Sequence, residues 1–165
     1  MSRNLISAAS LATALIVPVA AQAGTATATM PVSLTLNANC SLTANALSFP
    51  AATSLATALT ANTTLGVTCT QTTPYTIGLD QGSTTGSAIA MRLLAGTEGN
   101  MFKVQFKLFR DAALSQNWGD TVGTDTEAGT GTGRLQNVTV YGQVPVQIEP
   151  KPGTYSTNVT ATVTF

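Results

Sequence analysis

AQAGTATATMPVSLTLNANC, the stretch from Ala21 to Cys40, changes character partway along. Its first residues are small, of the kind found at a leader cleavage site. From Ala26 onward every even position is apolar: Ala26, Ala28, Met30, Val32, Leu34 and Leu36. Threonine or serine fills most of the odd ones. A period of two marks a strand with one buried face. Yet this strand precedes the first cysteine, and nothing beside it in sequence offers an obvious partner.

Upstream, Met1–Ala23 reads as a secretory signal peptide. Arg3 gives a weakly positive start, an apolar run follows from Leu5 to Ala21, and Ala21-Gln22-Ala23 suits cleavage. Ser7, Ser10, Thr13 and Pro18 interrupt the run, which makes it a poor membrane span. Cleavage after Ala23 leaves about one domain, large enough for a single core. The 165 residues hold 7 Lys+Arg, 7 Asp+Glu and no histidine. Such a balance offers no basic patch for nucleic acid. A near-neutral, threonine-coated surface has little colloidal repulsion, which is tolerable in a protein built to assemble. In an exported chain, Cys40 and Cys69 read as one disulfide, two buried thiols being the other reading. Closing a loop of about 30 residues contributes roughly 3–4 kcal/mol in the chain-entropy picture. Two thiolates without histidine do not complete a tetrahedral metal site, and no cofactor is expected.

Past Ala23 the pattern is all-β: short alternating runs between Gly, Pro, Asn, Asp and Thr clusters. Leu65, Val67 and Cys69 share a face in TTLGVTC (Thr63–Cys69). YTIGLD (Tyr75–Asp80) and MRLL (Met91–Leu94) follow. In MFKVQFKLFR (Met101–Arg110), Phe102, Val104, Phe106 and Leu108 point one way, and Lys103, Gln105 and Lys107 the other. Gly119–Gly133 reads as a polar loop. RLQNVTVYGQVPVQI (Arg134–Ile148) supplies one or two strands bent near Gly142 and Pro145. SLATALTANTT (Ser54–Thr64) fits either a helical turn or a loop, and its β-branched residues and Asn62 favour loop.

The chain closes with GTYSTNVTATVTF, which places Tyr155, Val159, Ala161, Val163 and Phe165 on one face of a final strand. With no strand after it, that edge is an aggregation hazard. A spare strand at one end and a vacancy at the other cancel if one molecule's strand fills the next molecule's gap. Such strand addition is a head-to-tail contact, and it builds an open filament.

LSFP (Leu47–Pro50), LGVTCTQTTPYTIGLDQG (Leu65–Gly82), FKLFRDAALSQNWGD (Phe106–Asp120) and VYGQVPVQIEPKPGTYSTNVTATVTF (Val140–Phe165) together resemble the spore coat protein U domain, a family that includes archaic chaperone–usher pilus subunits. The cysteine pair, Asp111 with Trp118-Gly119, Tyr141-Gly142, and Gly153-x-Tyr155 through Phe165 carry the resemblance. The sequence departs from the family pattern at Phe106, where a tyrosine is expected, and at Thr157, where an aspartate is.

The resemblance implies an incomplete immunoglobulin-like β-sandwich that lacks its final strand and is completed by a donor strand. A periplasmic chaperone lends a strand until the outer-membrane usher exchanges it for the N-terminal extension of the next subunit. On that reading 24–36 is the donor extension and 37–165 the pilin domain. The plugs are Met30, Val32, Leu34 and Leu36, with Ala28 and Ala26 weaker. Tyr155, Val159, Ala161, Val163 and Phe165 form the acceptor edge. Pro31 cannot donate to a ladder, so the donor has a defect there or starts after it.

Other features read more plainly. Trp118 suits a sugar-stacking platform or, more simply, a packing anchor. Asp80, Asp111 and Asp120 sit beside turn residues. The N-x-[S/T] matches at Asn39, Asn62, Asn137 and Asn158 arise readily in a threonine-rich chain. Without histidine there is no neutral-pH base, and neither a phosphate loop nor a nucleophile elbow appears. The sequence thus points to a non-enzymatic pilus subunit, secreted through the periplasm to the cell surface, for attachment and biofilm formation. Its partners are other subunits, the chaperone and the usher. The alternatives are a monomeric carbohydrate-binding sandwich with Trp118 at its site, or a coat or envelope structural protein.

Overall fold

Threonine-rich alternation becomes strand here wherever another strand lies alongside. The computed structural model describes residues 22–165, and among them are nine strands and no helix. In chain order these are β1 (Cys40–Ala44), β2 (Leu59–Cys69), β3 (Pro74–Leu79), β4 (Arg92–Gly96), β5 (Lys103–Phe109), β6 (Glu127–Thr130), β7 (Gln136–Val144), β8 (Tyr155–Ser156) and β9 (Ala161–Thr164). The leader expectation over Met1–Ala23 lies outside the described residues except at Gln22 and Ala23. The chain divides at Thr35. The described part of the first unit, residues 22–35, forms no strand.

Two sheets make up the second unit. The larger runs β1-β2-β7-β5-β4-β8 and the smaller β6-β3-β9. All pairings are antiparallel, which lets each sheet keep one face dry and the other wet. Leu65 and Val67 of β2, Ile77 and Leu79 of β3, Phe106 and Leu108 of β5, and Val140 and Val144 of β7 meet in one core. Phe49 packs edge-on against Phe106, ring centroids 6.4 Å apart. Cys40 and Cys69 face each other across the β1–β2 ladder and form a disulfide.

Several expectations are corrected. Leu59–Thr64, read as loop, is the first half of β2, because Leu59 through Val67 pair with Val144 through Gln136. The supposed polar loop Gly119–Gly133 contains β6. Its residues, Glu127-Ala128-Gly129-Thr130, have weak strand propensity, but β3 supplies a ladder partner and the Tyr75 ring lies across Gly129. A Cβ on Gly129 would stand 2.4 Å from Tyr75 Cζ. Arg134–Ile148 yields one strand, β7, which ends before Pro145. Gly142 lies within it, and its missing side chain makes room for Leu47 and Phe49. Two stretches that carry the resemblance, LSFP and Tyr141-Gly142, are thus one packing contact. Phe102 falls outside β5 and is 55% exposed.

The final strand is split. Tyr155 belongs to β8 and pairs with Gly96 of β4 in the larger sheet. Ala161–Thr164 pair with Leu79–Thr76 of β3 in the smaller one. Alternation of inward and outward side chains persists throughout, so the sequence shows one face where the hydrogen bonds change sheets.

Candidate functional site

β1 ends the larger sheet and β9 ends the smaller, so each is laddered on one side only. Their Cα atoms approach within 8 Å, but no ladder joins them among the described residues. A ladder needs strands about 4.7–4.9 Å apart. Cys40 and Leu42 of β1 and Val159, Ala161 and Val163 in and before β9 pack against the core yet remain half-buried. Alternating with them, Ser41, Thr43, Thr160, Thr162 and Thr164 are exposed. The half-buried row is therefore the inward one, and it is uncovered between the two sheet edges. The result is an apolar slot with unpaired backbone on each side, the geometry that accepts an extra strand.

Of the residues assigned to this edge from sequence, the structure brings together Val159, Ala161 and Val163. Phe165 follows β9 and is 55% exposed. Tyr155 is absent from the slot: its hydroxyl accepts a hydrogen bond from Asn100 Nδ2 at 2.8 Å and donates to Lys151 O. The opposite wall, Leu42 on β1, was missed. Its signal was present as an apolar residue two places after Cys40, hence on the cysteine's face.

The slot's β9 wall is held by a short clamp. Asp80, just after β3, donates its N–H to Thr160 O at 3.0 Å. Its carboxylate accepts from Thr160 N at 2.9 Å and Gly82 N at 2.8 Å. Burial pushes this carboxyl up, but those bonds and the nearby Arg92 charge outweigh it and hold the group below the usual range. Ser83 N donates to Asn158 O, Asn158 N to Ser83 Oγ, and Thr84 Oγ1 to Thr157 Oγ1. Thr157 thus anchors the point at which the chain crosses from one sheet to the other.

Behind the clamp lies a satisfied polar knot. Arg92 is fully buried. Its guanidinium donates to Asp80 O at 2.8 Å, Ile89 O at 3.1 Å, Leu79 O at 2.9 Å and Trp118 O at 2.7 Å. Burial pushes its pKa down to about 10, against the pull of Asp80, Asp120 and Asp125, so it stays charged at neutral pH. Trp118 is also fully buried, and its indole donates to Ile77 O at 2.8 Å. It is an anchor between the sheets and has no face free to stack on a sugar. Asp111 caps its own turn by accepting from Ser115 and Gln116.

In the first unit, Ala28, Met30, Val32 and Leu34 are exposed, Leu34 at 91%. Leu36, the first residue of the second unit, is exposed too. Met30, Val32, Leu34 and Leu36 are the large apolar side chains of the alternating stretch. No set of three or more His, Cys, Asp or Glu able to hold a metal is found among the described residues.

The Spore Coat Protein U domain profile matches residues 26–162. No curated protein matches. Among solved structures, the chain is similar to a chain of the CsuC–CsuE chaperone–tip adhesion subunit pre-assembly complex from archaic chaperone–usher Csu pili of Acinetobacter baumannii. The identity is 20% and the TM-score 0.58, over 79% of this chain and 41% of that one. It therefore spans about two fifths of that chain's length, and the likeness is one of fold. A second similar structure is the minor tip subunit HdaB of the E. coli Hda pilus. Here the identity is 14% and the TM-score 0.37, over 76% of this chain and 79% of that one.

Proposed function

The chain belongs to the Spore Coat Protein U domain family, and from that premise we propose that it is a structural subunit of an extracellular archaic chaperone–usher pilus. It works by polymerisation and not by catalysis. The observation that carries this reading is the uncovered apolar slot between β1 and β9 in a chain that also bears an exposed alternating stretch. Residues 24–36 of one subunit are the donor strand. Met30, Val32, Leu34 and Leu36, with Ala28, enter the slot of the next subunit, over Leu42, Val159, Ala161 and Val163. Burying four large plugs at about 1.5–3 kcal/mol each gives roughly 6–12 kcal/mol of gross gain per junction, reduced by the cost of ordering the strand. Two ladder spacings exceed 9 Å, so a donor paired on both sides parts the two edges as it enters. A periplasmic chaperone occupies the slot before assembly, the usher exchanges strands, and the fibre serves attachment and biofilm formation.

Leu34→Asp tests the assignment by driving a carboxylate unpaired into an apolar slot. Surface-extracted wild-type protein is expected to run as a ladder of multiples without boiling and as monomer after it. The variant is expected to stay in the periplasm as chaperone-bound subunit. Normal ladders from Leu34→Asp would sink the donor assignment. A folded wild-type monomer in both lanes would sink the polymer.

A further inference from the structure

A strand inside a sheet is also open wherever its neighbour stops short of it. β5 lies between β7 and β4 in the larger sheet. It is laddered to β4 from Lys103 to Phe106, but to β7 only from Lys107 to Phe109. β7 ends at Val144, and Pro145 follows. The register that sets Lys107 opposite Gln143 would, one step further, set Gln105 opposite Pro145. Such a pair exchanges two hydrogen bonds in an antiparallel ladder, and proline has no N–H to give. Gln105 would be left with bare backbone, the feature on which an incoming strand pairs. The side chain of Gln147 occupies that place. Its Oε1 accepts from Gln105 N at 2.9 Å, and its Nε2 donates to Gln105 O at 3.1 Å and to Pro145 O at 3.2 Å. A side-chain amide carries the donor and acceptor of a peptide group, so Gln147 makes both bonds of one ladder pair and supplies the donor that Pro145 lacks. Its backbone is committed elsewhere: Gln147 N donates to Leu55 O at 3.3 Å. The flanking Val146 and Ile148 are exposed, so apolar packing of these side chains does not hold the segment, and the amide ties it to β5.

We propose that Gln147 guards the β5 edge: its amide closes β5 to strand addition, so that an extended segment of a second copy of this chain pairs at the β1–β9 slot and not here. The choice of incoming strand rests on the fibre reading above; the capping of Gln105 does not. Strand pairing is made by backbone groups, so any bare edge competes for a free strand. Residues 24–36 carry no charged side chain, so Lys103 and Lys107 on β5 do not repel them. A second place in the same sheet is treated alike. β8 pairs only with Ala95 and Gly96 of β4, and before that point Leu93 N donates to Ser87 Oγ at 3.1 Å. Where a ladder of the larger sheet stops early, a polar side chain thus stands in for the missing strand. The edges of β1 and β9 that face the slot are laddered on their other sides only. Sealing the inner gaps and leaving the slot bare gives strand addition one destination.

The test compares wild type with Gln147→Leu and Gln147→Glu, each as the full exported chain in the assembled or chaperone-held form in which it is recovered. Leucine removes both bonds to Gln105. Glutamate keeps an acceptor for Gln105 N and loses the donor. Amide exchange at Gln105 is expected to rise about tenfold or more in Gln147→Leu and to stay slow in Gln147→Glu. Val104 and Phe106, whose N–H groups face β4, are expected to keep wild-type rates, which separates an opened edge from an unfolded subunit. A labelled synthetic peptide of residues 24–36 is then added to each protein, and Gln147→Leu is expected to retain more of it than wild type. Unchanged exchange at Gln105 in Gln147→Leu would show that the amide does not hold the edge. Raised exchange with no gain in retained peptide would show that the opened edge accepts no strand. Either result overturns the guard. Absence of polymer ladders from wild type would sink the fibre reading alone, since the guard is decided by the difference between wild type and its variants.

Discussion

The two flanks of the three-stranded sheet face the same larger sheet but present opposite chemistry. Along β9 the inward side chains are small and apolar, with bare backbone beside them. Along β6 a cleft is lined with polar side chains, two of them, Arg110 and Gln136, holding unpartnered atoms. An apolar row with free N–H and C=O groups is completed only by another strand, since no small ligand satisfies a repeating backbone. A cleft lined by charged, amide and hydroxyl side chains has no repeating backbone to pair and is filled by water or another polar molecule. The chemistry of each edge, more than its shape, decides what it takes.

The largest expected effect comes from the knot on which the β9 flank depends. Arg92→Leu keeps the volume but strands four backbone carbonyls that now share one guanidinium. Removing one partner of a buried charged network costs about 3–5 kcal/mol, a large fraction of a small domain's total stability. Yield of oxidised, protease-resistant subunit should fall sharply. Near-normal yield and melting temperature would show that β9 is held by its ladder alone.

Next is Cys40→Ser. The disulfide ties β1, the other wall of the slot, to the buried end of β2. Its loss is expected to cost about 3 kcal/mol and to loosen the β9 flank first, since among the described residues β1 is laddered to β2 alone. Hydrogen exchange should rise in β1 before β6. Equal rises in both would mean that the flanks are not independent.

Gly129→Ala addresses the other flank. The added methyl meets the Tyr75 ring at 2.4 Å, and overpacking of this kind costs about 1–3 kcal/mol. Either Tyr75 or β6 must shift, so hydrogen exchange should rise along β6 while polymer ladders persist. Loss of ladders from this variant would join the two flanks that the geometry separates.

How much of this was legible in sequence depends on which partner each residue answers to. Val104, Phe106 and Leu108 declare β5 by alternation alone, and the core they build follows. Cys69, on one face with Leu65 and Val67, declares the second half of β2, and its bond to Cys40 fixes what lies beside it. β6 does not: Glu127-Ala128-Gly129-Thr130 becomes strand because β3 is there and because Tyr75 needs a glycine beneath its ring. Tyr155 and Val163 share one alternation, yet the change of sheet between them is set by Asp80, Ser83 and Thr84, more than 70 residues earlier. Trp118 was ambiguous because burial is not written in a lone tryptophan. The Arg110–Gln136 cleft was invisible, since its signal is two polar residues continuing inward rows whose register only the sheets reveal.

The smallest expected effect is one of pH, and it bears on the clamp alone. Asp80 has its carboxyl held below the ordinary value of about 3.9. Burial opposes this, and the bonds from Thr160 and Gly82, with the Arg92 charge, outweigh it. Because the folded group binds its proton less readily than the unfolded one, the carboxylate contributes stability above the unfolded value, and that contribution is lost as pH falls through the folded one. The melting temperature should therefore be insensitive to this group at neutral pH and drop below about pH 4. Asp80→Asn keeps an oxygen for the Thr160 and Gly82 donors but removes the titration, so it should melt lower at neutral pH and show a shallower acid drop. The acid loss should register as faster exchange at Thr160 and along β9, with β6 unchanged. Matching acid profiles for Asp80→Asn and wild type would assign the acid sensitivity to other carboxylates and leave the clamp held by backbone bonds alone.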